Sequence, residues 1–164
     1  MKAVVDKCDE MDIIADPTTV ICDFEKAAIN SVTATLGQQM RVQGCFYHLT
    51  QNTWRKIQEL GLSVSYRNNA EFKHFCGMLD GLAFLPVSEI AAGLQFLRGC
   101  MPTGDGLEDV VHLVDYFDTT YVNGSARQIN RPNDSQCILP LRIRRVPPLF
   151  PPALWNVIGQ CQDQ

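Results

Sequence analysis

The chain has 164 residues, enough for one domain with a real core, and its 46% hydrophobic and 20% charged residues are ordinary for a globular protein. A net charge of −4 argues against a chain-wide surface for nucleic acid, yet residues 123–145 hold five Arg and one Asp, a local +4 that leaves −8 on the remainder. Seven Cys at irregular spacings do not form a secreted disulfide framework, and several (Cys22, Cys76, Cys100) fall inside apolar patterns as small hydrophobes do.

The opening MKAVVDKCDEMD is charged throughout and lacks the apolar core of a signal peptide. No apolar run approaches membrane-spanning length. Together with the cysteine usage, this points to a reducing compartment, cytoplasm or nucleus, and away from secretion.

Residues 2–12 suit a short helix, with Val4, Val5, Cys8 and Met11 on one face. Asp16-Pro17 breaks it and launches a β-branched run at 18–22, predicted as a buried strand. A helix over 24–36 follows, its inner face formed by Phe24, Ala27, Ala28, Val32 and Leu36. Asp23 is placed to cap it, Glu25 favours its positive first turn, and Gly37 stops it. Residues 40–44 read as a second strand. Two strands joined by one helix form a right-handed βαβ unit, so they should lie parallel.

A third helix is predicted over 48–60, with Leu49, Thr53, Ile57 and Leu60 inside and Gly61 at its end. Residues 65–69 read as a polar turn. Phe72, Phe75, Cys76, Leu79 and Ala83 then mark one helix, Ile90, Leu94 and Leu97 another, and Val110, Leu113, Val114, Phe117 and Tyr121 a third. Between the last two, 101–106 is a loop. Beyond Asn123 come turn signals at 123–124 and 133–134. The run VPPLFPP at 146–152 is too proline-rich for a regular element. Trp155 is expected to pack back onto the body, and 159–164 to fray. There is no internal repeat.

Asp23 falls where the first strand ends, and Cys45 and His48 fall where the second ends. Carboxyl ends of parallel strands are where α/β folds build their sites. A carboxylate there is a common metal-ligand position. Nucleotidyl transfer needs two or three such groups around paired Mg²⁺ ions, and one carboxylate cannot hold that pair. Asp23 as a simple helix cap is the plainer alternative.

Cys45-x-x-His48 has the spacing of half a zinc site, which wants four N or S ligands. His74 and Cys76 are the nearest second pair, at a poor spacing. A buried thiol beside a helix-opening His, or a Cys and His facing the same cleft as Asp23, are the other readings. Cys–His nucleophilic catalysis lacks a signature for its third member. No phosphate-cradling glycine loop is present, and His112 reads as a surface or capping residue.

The runs VICDFEKAAINSV, QGCFYHLTQNTWRKIQELGL, FKHFCGMLDGLAFLPVSEI, YFDTTYV and VPPLFPPALWNV closely resemble the transposase domain of Mutator-like elements (MULE), over about residues 16–157. The resemblance implies an α/β, incomplete RNase H-like fold: short parallel strands flanked by helices, with a mainly α-helical insertion. It divides a single partial domain into a βαβα core at 12–62, the helical insertion at 63–122 and an irregular Pro- and Arg-containing tail at 123–164. It implies a D-D-E triad that uses Mg²⁺ or Mn²⁺ to cut and join DNA. Asp23 matches the family's second aspartate, and Cys45 and His48 match its C-x-x-H motif.

Within this chain the family's first aspartate and its glutamate have no counterpart. The expectation is a truncated or domesticated remnant, inactive alone and binding the metal weakly, with its parallel strands left at a sheet edge. Two other readings stand beside it. One is a DNA-binding or regulatory protein using the 127–145 region, Arg142, Arg144 and Arg145 above all, marked by salt-sensitive binding without cleavage. The other is a protein-interaction module built from the 70–121 helices, marked by an exposed apolar helix face.

Overall fold

The computed structural model of the chain describes residues 2–14, 16–37, 39–128 and 143–158. The chain is mixed α/β and mostly helical among these residues. After α1 (Lys2–Glu10), strand β1 (Thr19–Cys22) leads through α2 (Lys26–Leu36) to β2 (Arg41–Gly44). The two strands pair in parallel, Thr19 against Arg41 through Cys22 against Gly44, as the βαβ reading requires. Gly37 stops α2 at φ +93, a conformation that favours glycine.

The helical body follows: α3 (Phe46–Glu59), α4 (Ser63–Asn68), α5 (Ala70–Gly81), α6 (Ile90–Gly99) and α7 (Val110–Phe117), the last running into a π-helical turn, Asp118–Val122. Its core contains every apolar position predicted from 72 to 121, with Phe72, Leu79, Ile90, Leu113 and Phe117 fully buried. The chain ends its described part with a hairpin, β3 (Ser125–Gln128) against β4 (Ile143–Val146), and a short helix α8 (Pro152–Trp155). Trp155 is buried in the core, as expected.

Four boundaries differ from the sequence reading. First, α2 begins at Lys26 with Glu25 at its N-cap and no side-chain cap, so Asp23 is not the cap. Phe24 explains the delay: its ring is drawn inward against Tyr121 (5.5 Å) and Phe150 (5.2 Å), which holds residues 23–25 out of the helix. Second, α3 starts at Phe46, with Cys45 as its N-cap, so His48 lies within its first turn.

Third, the predicted polar turn is helical as α4, because Tyr66 packs on Trp54 (5.0 Å) and faces Phe72, a tertiary contact that overrides its polar neighbours. Fourth, the proline run is irregular only between its ends. Val146 closes β4, where a β-branched residue suits the ladder, and Pro152 opens α8, where its missing N–H costs nothing. The β3–β4 pair carries no clear sequence signal, because Arg and Gln dilute its β pattern. The predicted turn at 133–134 and the frayed end at 159–164 lie outside the described residues.

Candidate functional site

The parallel register fixes one corner of the molecule. Cys22 is the partner of Gly44, so Asp23 and Cys45 each stand one residue past a strand's carboxyl end. The Cys45 amide donates to the Cys22 carbonyl at 2.8 Å, carrying the pairing to the edge of the corner. Gly44 makes the close approach possible: a Cβ there would lie 2.6 Å from the Phe24 ring. Asp23 is half-buried, and its charge adds to burial in pushing the Cys22 thiol up from its ordinary range.

Cys45 is a half-buried free thiol with no side-chain cap bond to α3. His48 is half-buried as well, and its Nδ1 is buried without a hydrogen-bond partner. The adjacent Tyr47 ring is largely exposed and meets the imidazole edge-on at 5.6 Å. The backbone therefore brings Asp23, Cys45 and His48 to one corner of two strand ends and a helix start, with the free Cys22 thiol on the strand before Asp23.

This donor set does not fit a pair of Mg²⁺ or Mn²⁺ ions. Hard cations of this kind want near-octahedral oxygen coordination, and Asp23 supplies the only carboxylate at the two strand ends. Among the described residues no group of three or more His, Cys, Asp or Glu is placed to hold a metal ion. A second zinc pair from His74 and Cys76 is equally unsupported, since His74 is exposed and Cys76 is buried in the core. Burial, then the neighbouring Asp80 charge, pushes the Cys76 thiol up to about 12, so it is protonated and a poor ligand.

The basic candidates lie on the hairpin. Arg144 and Arg145 are exposed on β4, where Arg144 is the register partner of Arg127 and Arg145 that of Ala126. Successive residues of a strand face opposite sides, so the two guanidinium groups leave the ribbon on opposite faces. Arg142 lies outside the described residues. His112 is exposed beside Asp109 at 3.7 Å, a surface residue.

Asp80 is the titratable group that the sequence reading missed. It lies on the margin of the α5 apolar stripe, one helical turn after Cys76, and that position was its signal. It accepts from the Thr53 hydroxyl at 2.8 Å, and burial pushes its carboxyl up to about 6 against the downward pull of that bond. Near it, Tyr121 accepts from the Asn52 amide at 3.2 Å and meets the Tyr116 hydroxyl at 3.4 Å. The cluster ties α3 to α5 and to the end of α7, and it is separate from the strand-end corner in sequence and element.

No helix among the described residues is long and apolar enough to cross a membrane. No family model matches the chain, and neither a curated protein nor a solved structure matches it significantly.

Proposed function

We propose that the chain is a transposase-derived domain of the MULE type, with an RNase H-like ancestry, that contacts DNA but does not cut or join it unaided. One observation carries the reading. A βαβ crossover sets Asp23 and the start of the Cys45-x-x-His48 step side by side, each one residue past the carboxyl end of a parallel strand. That is where the resemblance calls for a triad carboxylate and its neighbouring motif.

The chemistry stops short of the family's reaction for a reason of stoichiometry. Phosphodiester attack by a two-metal route requires ions that stabilise both the entering and the leaving oxygen. Asp23 alone leaves most of their coordination to water. What remains for this chain's own residues is binding. Arg144 and Arg145, exposed on opposite faces of β4, can each neutralise a phosphate through bidentate bonds.

The test has two arms. With Mg²⁺ or Mn²⁺ present, the full chain should give no strand cleavage or transfer on a DNA substrate, and Asp23→Ala should change nothing. Metal-dependent transfer abolished by Asp23→Ala would refute the proposal. In the second arm, DNA binding should weaken steeply with salt. Arg144→Glu with Arg145→Glu should lower affinity at least about 10-fold and flatten the log–log salt slope by about 1–2. A salt-independent or absent interaction would favour the protein-interaction reading.

A further inference from the structure

The connection between α6 and α7 lines a cavity of about 310 Å³. Its walls include Met101, Pro102, Leu107, Val110 and Val111, and Glu108 adds a carboxylate to them. None of these residues belongs to the strand-end corner or to the hairpin. The volume is at the small end for a ligand site, room for one side chain rather than a large molecule. The loop is pinned in shape. Ser65 Oγ donates to the Gly106 carbonyl at 2.8 Å, which ties the loop to α4. The Leu107 amide donates to the Gly104 carbonyl at 3.1 Å, and Gly106 takes φ +74, a glycine conformation. Leu107 and Val110 are buried, so the apolar floor is already formed, while Val111 is exposed at its edge.

Charge selects the occupant. Glu108 Oε1 accepts from the Gly106 amide at 3.2 Å, which holds the carboxylate against the loop and leaves it lone pairs for a further donor. Asp105 and Asp109 are exposed on either side of it in sequence, as Glu108 is itself. From 99 to 126 the sequence has no Lys or Arg, and His112, 3.7 Å from Asp109, is the only side chain there that can carry positive charge. Arg98, just before that stretch, is engaged by Asp115 at 2.7 Å and Asp118 at 2.8 Å. Among the described residues no Lys or Arg pairs with Asp105, Glu108 or Asp109. An apolar group entering the cavity therefore meets an unanswered negative edge. A cation beside that group is attracted there, and an anion is repelled.

We infer that this cavity docks a segment of a partner protein in which an aromatic or large aliphatic side chain is followed by Arg or Lys. The apolar side chain enters against Leu107, Val110 and Val111. The cation beside it bonds Glu108 and fixes the direction of the segment. One anchoring side chain buries little area, so a short peptide binds weakly, with a dissociation constant on the order of 0.1–1 mM.

Titration of the isotope-labelled full chain with an acetylated, amidated Gly-Phe-Arg-Gly peptide should give saturable amide shifts concentrated in residues 101–111. Gly-Phe-Glu-Gly and Gly-Ser-Arg-Gly, capped in the same way, should each bind at least about 10-fold more weakly. Glu108→Lys should lower affinity for the Phe-Arg peptide at least about 10-fold and raise it for the Phe-Glu peptide. Glu108 is exposed, so this variant leaves the core intact, and an unchanged thermal melt would verify it. No saturable shift up to about 10 mM peptide overturns the inference. Equal affinity for the Arg and Glu peptides overturns it too, since apolar burial alone would then account for binding. Equal affinity for the Phe and Ser peptides, or full binding by Glu108→Lys, would mean diffuse attraction to an acidic surface and no docking site.

Discussion

Asp80 holds a charge where the surroundings resist one. Its carboxyl is pushed up to about 6 from an ordinary 3.8 by burial, and the Thr53 hydroxyl offsets only part of that cost. In the folded state it therefore binds a proton more tightly than in the unfolded chain. Its contribution to stability is complete below about pH 4 and is lost as pH rises through about 6, on the order of 3 kcal/mol at most. Asp80→Asn keeps an acceptor for Thr53 and removes the charge. Urea unfolding should find the variant more stable than the parent by about 1–3 kcal/mol at pH 7 and equal to it near pH 4. A parent and variant with parallel pH profiles would show that Asp80 ionises without penalty.

Individual positions differed in how much the sequence said about them. Asp23 was legible because a lone carboxylate after a β-branched run marks a strand end. Asp80 was not, because a carboxylate on the margin of a helix stripe has the same pattern whether it snorkels to water or turns inward. Only the neighbouring elements, α3 with Thr53 and α7 with its tyrosines, decide which.

At the scale of elements, the order and parallel pairing of β1, α2 and β2 could be read directly, since β-branched runs, helical spacing and Gly37 agree there. The expected burial of β1 does not hold. None of its residues is buried and Ile21 is 64% exposed, because only β2 pairs with it among the described residues. The entry to α2 could not be read, because Phe24 belongs to a core assembled from residues about a hundred positions away. The same distance hides the role of Gly44. Its neighbour across the corner is the Phe24 ring, which fills the place a side chain would take. Gly44→Ala should thus displace that ring from Tyr121 and Phe150 and cost about 1–3 kcal/mol, the usual cost of overpacking. Gly77→Ala, where nothing lies within 4 Å, serves as the control and should be neutral or slightly stabilising. Chemical denaturation of both variants would check the contrast, and an undisturbed Gly44→Ala would show that the corner is looser than its geometry implies.

The whole molecule is closed by its last described segment. The Trp155 indole donates from Nε1 to the carbonyls of Tyr121 and Phe150, both at 3.1 Å, while its ring packs on Phe117 and Tyr121. Asn156 donates from Nδ2 to the carbonyls of Ala83 and Leu85, and the Phe150 amide reaches the Thr120 carbonyl. Phe150 in turn touches Phe24, so the latch joins the helical body to the strand-end corner. A two-stranded sheet is marginal alone, and this connection is what lets β1 and β2 share the stability of the helices.

Trp155→Phe keeps most of the packing but leaves two buried carbonyls without their donor, a loss of about 1–3 kcal/mol. Trp155→Ala adds a cavity and should cost about 3–5 kcal/mol. Hydrogen exchange distinguishes a latch from a local patch. If the molecule unfolds as one unit, Trp155→Phe lowers protection in β1 and β2 by the same free energy as in α5 and α7. Protection that falls only around Tyr121 and Phe150, with the strands unchanged, would mean that the corner stands without the latch.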